Sequence, residues 1–418
     1  MAKLHSTGSY LRHLVLCALS MMALTTAAQA GPGASSPAAA ASAERGAPSD
    51  VAREVDREAE PPRAWMAVPR SQGRLMPADL GLVINTADPY SVAVGAYYIQ
   101  RRGLQPQQVL RLELPLRASL TPEEFAQLRQ RIEAHFGDAT QALALAWTTP
   151  YAVQCQSITG ALALGFDPDF CRRSCDRSKP SPYFNSASGA PWRDHQLRPS
   201  MLLAARDVEQ GKRLIDRGVS ADGRLGRRWS GPANVVYLST SDVNRNVRHR
   251  LFPPAGPVRP LGLDVQVLQA DQPRDLQRLL LLQTGAAQLS GLDTLGWVDG
   301  ALADHLTSFG GQLDRVGGQS TALEWLDSGA TASYGTVSEP CNHLQKFPHP
   351  QLLLLHYAQG ETAIEAYWKS VAWPLQGVFI GEPLASPFGP VLPAPAVSSP
   401  SGVVGGGVQP VVMRRQKP

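Results

Sequence analysis

The sequence predicts an α/β fold: a mainly parallel β-sheet sandwiched by helices in three layers, with disordered termini. Short continuous apolar runs of strand length recur along the chain, as is typical of strands covered on both faces. Stretches with helical spacing and capping residues separate these runs. Strands that alternate with helices predict parallel pairing with right-handed crossovers.

The chain begins with the three-part pattern of a secretory signal peptide. Lys3 and Arg12 precede an apolar run at residues 14–24, and residues 28–30, Ala-Gln-Ala, offer small side chains for cleavage. The apolar run is about half of the length that a membrane span needs. The sequence therefore predicts a signal peptide at residues 1–30, a secreted or periplasmic location, and no transmembrane segment in the mature chain.

Composition divides the rest of the 418-residue chain into three parts. Residues 31–63 and 389–418 are rich in Ala, Pro, Gly and Ser and poor in large apolar side chains, which predicts a disordered linker and a disordered tail. Residues 64–388 are expected to form a single α/β domain. Within it, residues 155–199 lack periodicity and contain three cysteines, which predicts an insertion stapled by a disulfide.

The net charge of the chain argues against nucleic-acid binding. The formal net charge is +4, and loss of Lys3 and Arg12 with the signal peptide would bring it to +2. A near-neutral domain has no basic footprint for nucleic acid. A phosphate-binding loop or dinucleotide-binding glycine motif is also missing from the sequence, so no cofactor is predicted.

The amino-terminal half of the domain alternates strands and helices. The predicted strands are residues 80–86, 109–114 and 141–147, and the helices between them begin at Asp88-Pro89 and Thr121-Pro122. Asp and Thr are good N-cap residues, and proline is well suited to the first helical turn.

The alternation resumes after the insertion. The predicted strands are residues 201–205, 234–239, 265–268, 330–337 and 377–381, and the predicted helices are residues 207–217, 244–250, 275–282, 351–358 and 362–370. The loop at residues 338–342 would lie at the carboxyl end of a buried strand, where ligands bind in open α/β sheets.

Cysteine usage agrees with an oxidising compartment. Of the five cysteines, Cys17 would leave with the signal peptide. The four that remain, Cys155, Cys171, Cys175 and Cys341, permit two disulfides with three possible connectivities. The close spacing of the first three favours one local bridge among them. Whichever of the three stays outside that bridge is, together with Cys341, either paired or free.

Cys341 is the strongest candidate for a catalytic nucleophile. It follows a predicted strand, and His305 lies on a predicted loop upstream, with Asp304 beside it. An imidazole that removes the thiol proton would leave the thiolate, which is the attacking species. The alternative is that Cys341 is a disulfide partner or a buried loop residue and that His305 caps a turn.

Ser308 is a second candidate catalytic residue. It precedes Phe309-Gly310-Gly311, where a tight turn could expose the hydroxyl and leave glycine amides free to bind an oxyanion. The Gly-x-Ser-x-Gly frame of a nucleophile elbow is missing from this stretch of sequence. The glycines could instead simply end an element.

Three charged residues are candidates for substrate binding. Arg245 and Arg248 are three apart on the predicted helix that follows residues 234–239, so they would share a face and could hold a carboxylate. Glu339 follows the predicted strand before Cys341. The alternative for the arginines is a solvated helix face paired with acids.

The histidines near Cys341 do not predict a metal site. Cys341, His343 and His349 could be written as ligands, but their spacing matches no helix or knuckle pattern. The Cys171-x3-Cys175 pair lacks a second pair at zinc-ribbon spacing. No metal is therefore predicted.

Several of these motifs together resemble an uncharacterised, exosortase-associated family of exported bacterial proteins. The resemblance runs over about residues 80–388. The motifs are the strand ending in Ile84-Asn85 with Asp88-Pro89, Ser241-Asp242 with residues 245–248, residues 303–311, residues 329–341, residues 365–367 and residues 381–384. It implies a context of surface-protein sorting, with exported proteins or the sorting machinery as partners, but no established activity.

The carboxyl half also resembles the gingipain-like cysteine peptidases of the caspase-like class. Residues 325–383 follow their order of helix, Gly-Ala strand, later helix and closing Gly-Asp-Pro. This implies a caspase- or gingipain-like three-layer architecture. The chain departs from the pattern because residues 304–308 stand where the nucleophilic cysteine would be, and because Glu382 replaces the closing Asp.

Two hypotheses for function follow. The first is a cysteine-peptidase-like or acyl-transfer enzyme that acts on exported proteins with Cys341 and His305. The second is a non-catalytic binding or accessory protein with a degenerate enzyme-like fold.

Overall fold

The computed structural model describes residues 63–225 and 231–391. The predicted signal peptide, nearly all of the predicted linker and nearly all of the predicted tail lie outside these residues. Within the two described ranges, no helix combines the length and the apolar character needed to cross a membrane.

The described residues form two β-sheets with helices around them. The strands are β1 (Leu80–Asn85), β2 (Val109–Leu112), β3 (Ser119–Leu120), β4 (Ala142–Leu145), β5 (Ala152–Val153), β6 (Gln156–Ser157), β7 (Ser200–Leu202), β8 (Ala233–Ser239), β9 (Gly256–Val258), β10 (Leu263–Gln269), β11 (Leu279–Thr284), β12 (Trp297–His305), β13 (Ala332–Thr336) and β14 (Gly377–Gly381). The helices are α1 (Pro89–Arg102), α2 (Pro122–His135), α3 (Ile158–Leu164), α4 (Pro191–His195), α5 (Val208–Ala221), α6 (Ala322–Ser328), α7 (Pro350–Ala358) and α8 (Ala363–Ser370).

The main sheet has 11 strands in the order β2-β1-β4-β7-β14-β13-β12-β11-β8-β10-β9. Its neighbours pair in parallel, except that β14 is antiparallel to β13 and β9 is antiparallel to β10. The predicted α/β class with a mainly parallel sheet is therefore confirmed. A small second sheet contains β3, β5 and β6.

The direction in which the chain crosses the sheet reverses at two places. It passes from β1 to β2 and then returns to β4, and it passes from β8 to β10 and then returns to β11. At such switch points the loops leave neighbouring strands in opposite directions and open a crevice at their carboxyl ends. The second switch point lies between β8 and β11, and the segment that contains Arg245 follows β8.

Helices cover both faces of the sheet, because successive side chains of a strand point to opposite faces. Ile84 packs in one apolar cluster with Val94 and Tyr98 of α1, while Val83 packs in another cluster with Phe125 of α2. Val94 and Tyr98 are four residues apart and share one side of the helix. Burying each such side chain contributes about 1.5–3 kcal/mol.

The predicted helix signals act as expected at α1 and α2. The Asp88 side chain accepts a hydrogen bond from the backbone N–H of Tyr90, and α1 ends at Gly103 with a left-handed φ of 67°. Thr121 and Glu124 form a reciprocal capping box at the start of α2. These local hydrogen bonds satisfy backbone groups that a helix end otherwise leaves unpaired.

The insertion contains more regular structure than its sequence suggests. Helix α3 begins after Ser157, whose side chain accepts a hydrogen bond from the N–H of Gly160. A Cβ on Gly160 would lie 2.7 Å from the carbonyl oxygen of Leu375. Because the first four residues of this short helix are buried, it has no polar face and no amphipathic pattern to reveal it.

The helix predicted at residues 275–282 is wrong, because residues 279–284 form strand β11 in the middle of the main sheet. β11 lies between β8 and β12, and all six of its residues are buried. A short apolar run that is buried on all sides has no periodicity that separates a strand from a helix.

A buried ion cluster joins α1 to the end of β14. Arg102 donates to Glu382 through Nη2 at 2.6 Å and to Asp222 through Nη1 at 2.6 Å, and the hydroxyl of Tyr98 donates to Glu382 at 2.8 Å. The side chains of Arg102 and Glu382 are 2% and 0% exposed. The glutamate that departs from the gingipain-like Gly-Asp-Pro pattern therefore holds two parts of this domain together.

Removing the cation should destabilise the fold strongly. Arg102→Met would leave two buried carboxylates without their partner, and we expect the free energy of unfolding to fall by about 3–5 kcal/mol. Urea denaturation measures this change.

The neighbouring Arg101 supplies a matched control, because its ion pair with Asp216 is 37% and 46% exposed. Arg101→Met should lower the free energy of unfolding by less than about 1 kcal/mol. Equal losses for the two variants would contradict the structural role of the buried cluster.

Candidate functional site

A cleft of about 350 Å³ opens at the carboxyl ends of β8, β12 and β13. Residues 244–245 after β8, residues 306–308 after β12 and residues 339–342 after β13 line it. The polar turns that follow these three strands therefore lie together at one rim of the sheet. This arrangement follows from parallel pairing, which brings the carboxyl ends of neighbouring strands to the same edge.

Arg245 is the cation of the cleft. Its Nη1 pairs with Asp242 at 2.8 Å and its Nε donates to the Thr307 hydroxyl at 3.2 Å. The side chain is 25% exposed. The guanidinium is thus oriented in advance while part of it stays open to a ligand.

Arg248 does not share this exposed position, so of the two candidate arginines only Arg245 lines the cleft. Arg248 lies in a 3-10 helix over residues 246–251, and Arg245 precedes that helix with φ −99° and ψ −20°, in the right-handed helical region. The Arg248 side chain is 3% exposed, pairs with Asp304 and donates to the carbonyl of Thr284 at 2.8 Å. The guanidinium is buried and bonded to interior groups, and it does not line the cleft.

Asp304 is fully buried in β12. Arg248 contacts its Oδ1, and the Gln283 side chain donates to its Oδ2 at 2.8 Å. Burial raises the pKa of Asp304, and the nearby Arg248 opposes that rise. Because consecutive strand residues point to opposite faces, Asp304 does not orient the imidazole of His305.

His305 is the last residue of β12 rather than part of a loop, and it is 1% exposed. Its Nδ1 accepts from the indole N–H of Trp325 at 3.0 Å, and its Nε2 lies 3.1 Å from the carbonyl oxygen of Ser320. Since the indole can only donate, the proton of a neutral ring is on Nε2. Burial lowers the pKa of His305 to about 4. The ring is therefore neutral at pH 7 with both nitrogens engaged.

Cys341 forms a disulfide with Cys175, with Cα atoms 5.2 Å apart. A bonded sulfur is not a thiolate, so the predicted thiolate–imidazole pair of Cys341 and His305 is not formed in this structure. The second bridge, Cys155–Cys171, is the expected local one, with Cα atoms 5.4 Å apart. The pairing that the sequence leaves open is thus resolved.

Ser308 lines the cleft, but the glycines beyond it have a packing role. A Cβ on Gly335 of β13 would overlap the backbone of Gly310, and the N–H of Gly311 donates to the carbonyl of Thr336 at 2.9 Å. The amide of Gly311 is therefore not available to bind an oxyanion. The close approach of β13 explains why this turn needs glycine.

The opposite wall of the cleft contains Glu339. Its side chain accepts from the N–H of Cys341 at 2.8 Å, and its carbonyl accepts from the Gln376 side chain at 2.8 Å. The side chain of Asn342 donates to the carbonyl of Asn244 at 3.1 Å, which closes one end of the cleft. Sequence reasoning missed Gln376, Asn244 and Asn342, because isolated amides give no signal until tertiary contacts gather them.

No group of three or more metal-binding side chains is found among the described residues. His349 instead caps α7, where its side chain accepts from the N–H of Leu352. Burial lowers the pKa of His349 to about 4.

Comparison with known proteins finds similarity only among solved structures; no family model and no curated protein matches the chain. The crystal structure of the Arg-specific cysteine proteinase gingipain R is similar with a TM-score of 0.42 and 11% identity, over 77% of this chain and 80% of that chain. The complex of the Porphyromonas gingivalis RgpB pro- and mature domains gives 0.37 and 11%, over 75% and 79%. The likeness to gingipains noted in the sequence thus recurs, but at these scores it transfers no activity and no residue role.

The buried imidazole predicts a pH dependence of stability. Because the pKa of His305 is about 4 in the fold and near 6.5 when unfolded, the unfolded chain binds the proton more tightly between these values. Stability should therefore fall as the pH drops from 6.5 to 4, with about 3 kcal/mol from this group.

His305→Gln removes the titration, and its free energy of unfolding should change less over that pH range than that of the wild type. His135 is exposed on α2, and His135→Gln is the matched control. Denaturant unfolding at several pH values measures all three proteins. Parallel pH profiles for the wild type and His305→Gln would refute the buried neutral state.

Proposed function

We propose that the protein is a non-catalytic binding protein with a degenerate peptidase-like fold, and that its cleft binds an acidic group of an exported polypeptide. One observation carries the proposal. The predicted nucleophile is locked in a disulfide and the predicted base has both ring nitrogens bonded, whereas Arg245 and Glu339 remain in one cleft.

The cleft has the features of a recognition site for a polar ligand. Arg245 is held by Asp242 and Thr307, so little side-chain entropy is lost when a carboxylate binds. Charge-assisted hydrogen bonds from a guanidinium to a carboxylate are stronger than neutral ones. Ser308 and Glu339 supply further polar groups, which suits a peptide with amide donors and acceptors.

The cellular setting of this proposal comes from the sequence. The two disulfides are consistent with an extracytoplasmic location. With the predicted signal peptide and the resemblance to exosortase-associated proteins, this supports exported proteins or the surface-sorting machinery as partners.

Arg245→Ala should weaken binding of acidic peptides. We expect a loss of about tenfold or more for a short fluorescent peptide with one glutamate, because a charged hydrogen bond is removed. The same peptide with glutamine should bind the wild type about as weakly. Fluorescence anisotropy measures both affinities.

Arg250→Ala is the matched control, since Arg250 is exposed in the short helix that follows Arg245 and lies outside the cleft lining. It should leave the affinity unchanged. The wild type could bind the glutamate and glutamine peptides with equal affinity, or Arg245→Ala could leave the affinity unchanged. Either result would contradict the proposed anion site.

The enzymatic alternative leaves a different signature. If Ser308 acts as an acyl-transfer nucleophile, a serine-reactive fluorophosphonate should label the wild type at Ser308 and fail to label Ser308→Ala. The binding proposal expects no labelling at this residue and unchanged peptide affinity in the variant.

A further inference from the structure

The two disulfides of the described residues differ in accessibility. Cys175 is exposed, and Cys341 lines the cleft, so that bridge can be reached both from solvent and from the ligand side. Cys155, Cys171 and Cys341 are each half-buried, so both sulfurs of the bridge that closes the base of the insertion are less accessible than that of Cys175. An attacking thiolate must reach a sulfur, so access favours exchange at Cys175–Cys341.

The backbone around Cys341 is strained. Cys341 and the next residue, Asn342, have left-handed φ values of 58° and 46°, a conformation that costs energy for residues with a Cβ. The bridge to Cys175 and the hydrogen bond from the Cys341 N–H to Glu339 hold this geometry. Opening the bridge removes one of these two restraints on the strained backbone.

A buried lysine contacts the residue that precedes Cys175. Lys346 is fully buried, and its Nζ donates to the carbonyl of Ser174, the residue before Cys175, at 2.6 Å. Burial lowers the pKa of Lys346 to about 8, and the nearby carboxylates of Asp176 and Glu339 oppose that fall. The amine is therefore still mainly protonated at pH 7. A nearby cation stabilises a departing thiolate.

From access, strain and the buried cation together, we propose that Cys175–Cys341 is a thiol-exchange site that accepts the thiolate of a cysteine-containing ligand. The thiolate attacks Sγ of Cys341 from the cleft, the bond between the two cysteines breaks, and a mixed disulfide forms on Cys341. The electron pair leaves on Cys175 as a thiolate, one residue after the Ser174 carbonyl that Lys346 contacts. This activity goes beyond acidic-ligand binding and does not depend on it.

The test uses the folded wild-type protein with two thiols: reduced glutathione, and a short peptide with one cysteine. Samples are quenched with acid over time, alkylated and mapped by mass spectrometry. We expect mixed disulfide at Cys341 to form at least about tenfold faster than any product at Cys155 or Cys171. Equal rates at the two bridges, or faster reaction at Cys155–Cys171, would overturn the proposal.

The two thiols separate the possible sources of the ligand. Faster exchange with the peptide identifies polypeptide thiols, and faster exchange with glutathione identifies small thiols; either result supports the shared chemistry. Arg250→Ala, which lies outside the cleft lining, should leave exchange with glutathione unchanged. Anisotropy with a glutamate peptide that lacks cysteine reports binding alone, and the mapped mixed disulfide reports exchange alone, so the failure of the binding proposal and the failure of this one can be told apart.

Lys346→Met tests the buried cation. It should slow exchange at Cys341 by about tenfold, because the departing thiolate loses its stabilising charge. Lys346→Arg keeps the charge and should restore most of the rate, and Lys179→Met, which removes an exposed lysine of the insertion, should have no effect. Lys346→Met could unfold at the same temperature as the wild type and still exchange at the wild-type rate. That result would exclude this role for the lysine.

Discussion

The cleft depends on one buried ion pair, between Arg248 and Asp304. It lies beneath the carboxyl edge of the sheet and joins the turn after β8 to the body of β12, with further contacts to Gln283 and Thr284 of β11. A buried charge that loses its partner is strongly destabilising, so the two strands and the turn are held in one arrangement. That arrangement places Arg245 at the mouth of the cleft and Arg248 behind it.

The same part of the sheet shows why enzyme-like residues need not make an enzyme. Asp304 and His305 are adjacent in sequence, but the pleat sends them to opposite faces, one to an arginine and the other to a tryptophan. Each is fully satisfied by an interior partner. Only the next turn, with Thr307 and Ser308, emerges into the cleft.

The insertion gives the cleft its covalent support. Cys155–Cys171 closes the insertion on itself, and Cys175–Cys341 ties it to the cleft wall. The hydroxyl of Ser338 also donates to the carbonyl of Cys155 at 2.6 Å. The insertion is therefore bonded to the loop that carries Glu339 and stabilises it. Because Cys341 lies in the cleft wall, opening its bridge would change the shape of the site.

Local sequence patterns determined much of the secondary structure and the fold class of this protein. Apolar runs and caps such as Asp88 and Thr121 act over a few residues, so strands, helix starts and the α/β class could be predicted from them. The placement of loops at one rim also followed, because parallel strands bring their carboxyl ends together. What only the tertiary structure decided depends on distant partners: the strand identity of the buried run at residues 279–284, the separation of Arg245 from Arg248, and the choice of Cys175 for Cys341. Burial on all sides removes periodicity, and no local pattern in the chain specifies which distant partner a side chain will meet.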